Sequence, residues 1–457
     1  MLADGYSIRH NDRVTSDARP RRAGYSPTDA PVGRRGQHTR RRILHHAQRL
    51  FATRGFHGTS IDAIASAAGS SRSGVYQYFE SKDDIFVELL TQCEQAVLEH
   101  ARSLGPLSAD AQGLAHLYGW LRELARLYDD YFIVFYELPG IGLNQGLPPS
   151  AAQAVSDQYT DVMTEKIRAA GVVGLDPVDA ANVTLRIVHM VNAYRSRAMF
   201  NIDQVSSVDQ SLAVAVQLLL FPHTASVEFA AFPSVAQPTA HAADGAPFAP
   251  VSILNSDLPS VSPIRQDMLS AASTLFARHG YYAVSMDDIA RAAGVSRATL
   301  YRQFSTKVKI LAELSDWAAL EGAQLAADLH NVRARDGADE LHVWLSRYLH
   351  HHRLYGSTIR AWFDGTIAAQ LPDNVMQQGQ GAFHSAVAGF LADITLPEAM
   401  DAQTAAAIFL AGLGRLSEYV ISRGTDETDF GGAALITLAI RRMLLGSDLR
   451  WAGAPES

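Results

Sequence analysis

The chain has one cysteine, Cys93, in 457 residues, so no internal disulfide can form. That fits a reducing, cytoplasmic setting. A small side chain near a helix is expected at Cys93 rather than a redox sensor. Nucleophile motifs, phosphate-binding glycine loops and the HExxH zinc signature are missing, and the plentiful carboxylates cannot be paired across a cleft from sequence, so catalysis is not supported. No apolar run reads as long enough for a membrane span, and the arginine-rich N-terminus lacks a secretory apolar core. Positive charge is not in excess. The net charge is -8, so any nucleic-acid site must be local. Hydrophobic content of 47% and charged content of 19% are ordinary for a globular protein of several domains.

What the chain does have is a repeat. Ser60–Lys82 recurs as Ser285–Lys307, and Phe51 recurs as Phe276, all at an offset of 225 residues. Gapless self-similarity of this length is an internal duplication. In the first copy Ile61, Ile64, Ala65 and Ala68 share one helical face. Ser60 can cap that helix, Asp62 suits its positive end and Gly69 ends it. Ser71 can cap a second helix in which Val75 and Phe79 point inward. In the second copy Met286, Ile289, Ala290 and Ala293 repeat the inner face, Gly294 the turn, and Leu300 with Phe304 the inward pair. Ser285 and Asp288 fit a capping box.

Two short helices around a glycine turn, with arginine, hydroxyl, glutamine and tyrosine side chains outside, describe a helix-turn-helix that reads DNA. The alternative is an ordinary helical hairpin. Lys82 and Lys307, each at the start of the next helix, oppose its dipole by about 0.3–1 kcal/mol. Lys309 repeats this. A bound phosphate would relieve it.

Each unit resembles the DNA-binding head of the TetR/AcrR family of bacterial transcriptional regulators. The resemblance rests on Leu50-Phe51-Ala52, Gly55, Ile64-Ala65, Ala67-Ala68-Gly69, Ser71-Arg72, Val75-Tyr76, Phe79 and Ser81-Lys82. Their counterparts are Leu275-Phe276-Ala277, Gly280, Ile289-Ala290, Ala292-Ala293-Gly294, Ser296-Arg297, Leu300-Tyr301, Phe304 and Thr306-Lys307. It implies an all-α protein: three-helix heads, helical bodies that bind ligand and dimerise, and repression. It covers both heads, and the bodies only through helical character and length.

Seven segments follow. Residues 1–37 form a basic arm expected to be disordered. With Arg40, Arg41 and Arg42 it is either an arm that tracks DNA or a solvated tail. Residues 38–98 and 263–323 are the heads, with first helices from Thr39 to Arg54 and Ile264 to His279. Residues 99–221 and 324–449 are the bodies. Residues 222–262 are a Pro/Ala-rich linker in which helices should not persist, and 450–457 a tail. In the bodies, Asp176-Pro177 opens a helix to about Phe200, followed by Val208–Phe221. Asp401–Arg423 and Glu427–Leu445 are a second such pair. The resemblance implies that these pairs dimerise.

The expected DNA-binding residues are Ser60, Ser71, Arg72, Ser73, Gly74, Tyr76, Gln77, Tyr78 and Lys82 in the first head. In the second they are Ser285, Ser296, Arg297, Ala298, Thr299, Tyr301, Arg302, Gln303 and Lys307. Around the second reading helix, Arg291, Arg297, Arg302, Lys307 and Lys309 predict tighter binding than in the first, where Glu80, Asp83 and Asp84 oppose Arg72 and Lys82. Aromatic residues Trp120, Tyr128 and Phe132, and Trp344, Tyr348 and Trp362, are candidates for effector pockets or plain core. His350, His351 and His352 point about 100° apart on a helix and cannot chelate one metal together; the His45-His46 pair fares no better. No cofactor is expected.

The leading function is a sequence-specific DNA-binding transcriptional regulator, with double-stranded operator DNA and a small-molecule effector as partners. The alternative is an architectural DNA binder that ignores ligands. The two bodies can pair within the chain as a pseudo-dimer or between chains as a homodimer.

Overall fold

The computed structural model describes residues 34–56, 58–135, 149–232, 262–332, 338–362, 367, 370–371, 373–392, 394–397, 399–423 and 429–445. The arm up to residue 33, the linker from residue 233 to 261 and the C-terminal tail lie outside these. Every regular element among the described residues is helical. The chain divides into two compact units, residues 1–90 and 91–457.

The first unit holds α1 (Arg34–Arg54), α2 (Ile61–Ala67), α3 (Arg72–Tyr76) and the start of α4 (Lys82–Ser103). α1 begins earlier than the expected Thr39. Ile43, Ala47, Phe51, Ile64, Val75, Phe79 and Phe86 make the core. Each large side chain buried there contributes about 1.5–3 kcal/mol. Gly69, at φ +57°, turns the chain between α2 and α3. α4 runs without a break through the 98/99 boundary expected between head and body.

In the second unit, α5 (Ala111–Asp130), α6 (Pro149–Ala169), α7 (Pro177–Ser196) and α8 (Val208–Leu220) build the first body. Asp176 caps α7 by accepting from Val178 N at 2.8 Å, with Pro177 in the first turn. α8 is buried on every side, Asp209 excepted, as an all-round apolar helix must be. The start of the linker holds a short 3-10 turn, Ser226–Ala231, where helices were not expected to persist.

The second head is α9 (Pro263–His279), α10 (Met286–Ala292) and α11 (Arg297–Gln303), followed by α12 (Lys307–Leu329). The second body continues with α13 (Ala338–Ala361), α14 (Asp373–Ala392) and α15 (Ala402–Ala411). A π turn at Gly412–Leu416 leads into α16 (Ser417–Ser422), and α17 (Asp429–Ile440) ends in a second π turn. The head sits on its body: Ser273 Oγ donates to Leu354 O at 2.6 Å.

The two bodies share one hydrophobic core, in which Ile187, Leu212 and Val216 join Ala405, Phe409, Ile436 and Leu444. α7 packs on α15 and its π turn, and α8 on α15 and the π turn that ends α17. Polar contacts reinforce the seam. Gln210 Nε2 donates to Ala399 O at 2.9 Å, and Tyr419 OH to Asp179 Oδ1 at 2.8 Å. Arg442 reaches Leu219 O at 3.2 Å.

One expectation fails here. Ala402–Ser422, with a mean hydropathy of 1.3, is long and apolar enough to cross a membrane. The sequence reading missed it because Arg415 and Glu418 interrupt the run. In the structure 78% of its most apolar 18-residue stretch is buried inside the protein, where α7 and α8 cover much of its apolar surface.

Candidate DNA interface

The reading helices are built alike. Ser60 Oγ accepts from Ala63 N at 3.2 Å and Ser285 Oγ from Asp288 N at 3.2 Å. Ser71 and Ser296 cap α3 and α11 by accepting from Gly74 N at 3.0 Å and Thr299 N at 3.1 Å. Asp288 completes its capping box, and the hydrogen bonds from Ser285 hold its carboxyl below the ordinary range. These four serines thus set the helix starts. A Cβ on Gly74 would stand 2.5 Å from Ser70 Oγ, a side chain that can rotate away, and the second head carries Thr299 at the same position.

The outer face of α3 exposes Arg72, Ser73 and Gln77, with Tyr76 and Tyr78 half-buried beside them. The second head exposes Arg297, Ala298, Tyr301 and Arg302, with Thr299 half-buried. In both heads the first arginine of the reading helix pairs with the second residue of the preceding helix. Arg72 meets Asp62 at 3.2 Å and Arg297 meets Asp287 at 3.0 Å. Each also lies over the tyrosine one turn on, 5.7 Å from Tyr76 and 5.6 Å from Tyr301. These pairs are exposed and worth little in stability, but they aim the guanidinium groups.

Lys82 and Lys307 turn inward. Lys82 Nζ donates to Phe56 O at 2.6 Å and Thr59 O at 3.1 Å, over the Phe56 ring. Lys307 Nζ donates to Tyr281 O and Val284 O, both at 2.7 Å, over the Tyr281 ring. Burial pushes both pKa values below that of an ordinary lysine. The relief from the helix dipole that a phosphate was expected to supply thus comes from loop carbonyls. Gln303 also leaves the reading face: its Oε1 accepts from Arg265 at 3.1 Å. Arg265 further holds Glu313 and lies over the Phe304 ring. The first head repeats this with Arg40, Glu88 and Phe79. Sequence reasoning missed this clamp, although both its ends obey the 225-residue offset. Of the five cations counted around the second reading helix, Arg291 and Arg297 are paired with acids and Lys307 is turned inward. Arg302 and Lys309 stand exposed.

The six candidate pocket aromatics behave mostly as core. Trp120, Tyr128, Trp344, Tyr348 and Trp362 are buried, and Phe132 is half-buried. Trp120 donates to His100 O at 3.0 Å, Trp344 to Leu325 O at 2.8 Å and Trp362 to Ser315 Oγ at 3.0 Å. Tyr128 bonds His189. A cleft of about 440 Å³ between α12 and α13 is lined by other residues, among them Glu321, Arg347 and His351. The three adjacent histidines diverge. His350 meets Asp429 at 2.9 Å and His351 meets Ala318 O at 3.0 Å, while neither ring nitrogen of His352 has a partner among the described residues.

The family profile described as bacterial regulatory proteins, tetR family, matches residues 43–89 and again residues 268–314. Both heads therefore match the TetR family of bacterial regulatory proteins. The chain is 37% identical over 70 residues to the uncharacterized HTH-type transcriptional regulator YdgC of Bacillus subtilis (strain 168), a match covering 15% of this chain and 36% of that protein. It is 29% identical over 167 residues to the HTH-type transcriptional repressor NicS of Pseudomonas putida, covering 35% of this chain and 76% of NicS. The chain therefore spans about a third of the length of YdgC. A crystal structure of AibR in complex with isovaleryl coenzyme A and operator DNA is 21% identical, covering 40% of this chain and 98% of AibR, with a TM-score of 0.31. The TetR family is one of transcriptional regulators, not of enzymes.

Proposed function

We propose that this TetR-family chain is a transcriptional repressor that binds double-stranded operator DNA through both heads. A small-molecule effector held by the helical bodies releases it, and it works in the cytoplasm. The observation that carries the reading is the pair of heads in register, each exposing a polar reading face with an arginine aimed by an acid and a tyrosine. Arginine can hold guanine edges or phosphate, and the exposed glutamine of the first head suits adenine.

The two bodies pair within one chain in this reading. The shared core and the Asp179–Tyr419 and Gln210–Ala399 hydrogen bonds support it. One chain then carries the two heads that a family homodimer would bring together. Because Gln77 in the first head stands where Arg302 stands in the second, the operator is expected to be non-palindromic, with more guanine contacts in one half. Selection from random double-stranded DNA, with the mass of the bound complex measured, tests this. A non-palindromic site bound by one chain is the expected result. A palindrome bound by two chains would replace the pseudo-dimer with a homodimer. Equal affinity for random and selected DNA would favour an architectural binder.

A further inference from the structure

Among the described residues, the seam between the two bodies holds more positive charge than it neutralises. Arg186 on α7 lies 4.9 Å over the Tyr419 ring, and its buried Nε has no partner among the described residues. On the second body, Arg415 in the π turn and Arg360 on α13 share one carboxylate. Glu418 takes Arg415 at 2.9 Å and Arg360 at 3.2 Å. Asp179 is already committed to Arg423 and Tyr419. Among the described residues one acid therefore answers three guanidinium groups, and only Arg360 is largely in solvent. A half-buried excess of cations is costly unless an anion joins it.

His352 lies in the same field. It is 4% exposed, and neither Nδ1 nor Nε2 has a hydrogen-bond partner among the described residues. Glu418, Arg360 and Arg415 all act on its ring, and burial pushes its pKa down to about 4. The neutral ring has one N–H to donate, and a buried donor without an acceptor is rare in folded proteins. The surroundings are shaped around the ring. A Cβ on Gly356 would stand 2.9 Å from His352 Nε2, and the Tyr348 ring stacks on the histidine at 6.0 Å. The wide π turn that carries Arg415 is of a kind frequent at functional sites.

We propose that this seam is the effector site and that its ligand is a small aromatic carboxylate. The carboxylate accepts from His352 and from the arginines that line the seam, and the ring packs beside Tyr348. The proposal rests on the reading of the bodies as effector-binding. Since Arg186 belongs to the first body and His352, Arg360 and Arg415 to the second, an occupied site ties one body to the other. That is how an effector held there would reach both heads.

Calorimetric titration of the full chain with benzoate, and with benzamide as its neutral counterpart, tests the site. Benzoate should bind once per chain and benzamide about tenfold or more weakly, because the charge is lost. His352→Phe, which keeps a planar ring, and Arg186→Met should each weaken benzoate by about tenfold. Circular dichroism and the melting temperature establish that both variants are folded. Equal binding of benzoate and benzamide, no benzoate binding at millimolar concentration, or wild-type affinity in both folded variants would overturn the proposal, leaving water as the partner of His352. Operator binding is read separately by fluorescence anisotropy. A chain that binds DNA but not benzoate loses only this site, whereas one that binds benzoate but no DNA keeps the site and loses the repressor reading.

Discussion

Lys307→Met removes an ammonium but keeps the length and most of the packing of its stem. The wild-type group makes two hydrogen bonds of 2.7 Å, to Tyr281 O and Val284 O, and faces the Tyr281 ring at 4.3 Å. Hydrogen bonds to a charged group contribute about 1.5–3 kcal/mol each. Desolvation of the half-buried ammonium, visible in its lowered pKa, offsets part of that. A net loss of about 2 kcal/mol is therefore expected. Because the bonds tie the loop before α10 to the start of α12, the loss should be local. Hydrogen exchange in the full chain should speed up about 30-fold in peptides covering residues 281–292, with little change in α7 and α8. Affinity for DNA should fall through the disordered head, while the salt dependence of binding keeps its slope. Unchanged exchange, together with a slope reduced by about one unit, would refute the clamp and make Lys307 a phosphate anchor.

Arg302→Ala should weaken discrimination at guanine positions of one half-site by about 1–3 kcal/mol and leave the other half-site alone; an unchanged consensus after selection would exclude base reading by this side chain. Arg265→Met should loosen the second head by about 1–3 kcal/mol, and Arg40→Met the first head by less, since Arg265 also holds Gln303. Exchange rates within α9 and α1 compare the two. Cys93 is buried and its thiol is pushed up to about 12, so the thiolate forms only far above neutral pH. Iodoacetamide at pH 8 should label it in denaturant but not in the native chain, and rapid native labelling followed by mass spectrometry would contradict the burial.

The heads were legible because their determinants are local. Ser60 and Ser285 cap helices three residues on, and Gly69 and Gly294 sit at φ +57° and +65°, where glycine is favoured. The periodic apolar residues Ile64, Val75, Ile289 and Leu300 are buried as expected. Side-chain destinations were less legible. A lysine at a helix start can reach a phosphate or a carbonyl with equal ease. Which one it meets here depends on loop atoms 23 and 26 residues away in sequence. Gln303 looked outward by its position, yet Arg265 draws it aside from 38 residues away. The aromatic residues of the bodies were ambiguous because helical period names a face and not what lies opposite.

The sequence by itself determined the duplication, the all-helical class, the cap and turn residues of both heads and the exposed polar face of each reading helix. All of these depend on contacts within a few residues or on a fixed offset. Tertiary structure decided what the inward lysines hold, that the apolar helix Ala402–Ser422 is largely covered by protein, and that Arg186, His352 and Glu418 share one seam. The lysines meet loop carbonyls 23 and 26 residues away within each head, and Arg186 meets Tyr419 from the other body. Helical period names a face for each of these side chains, and only the packing of one element on another specifies which of them meet.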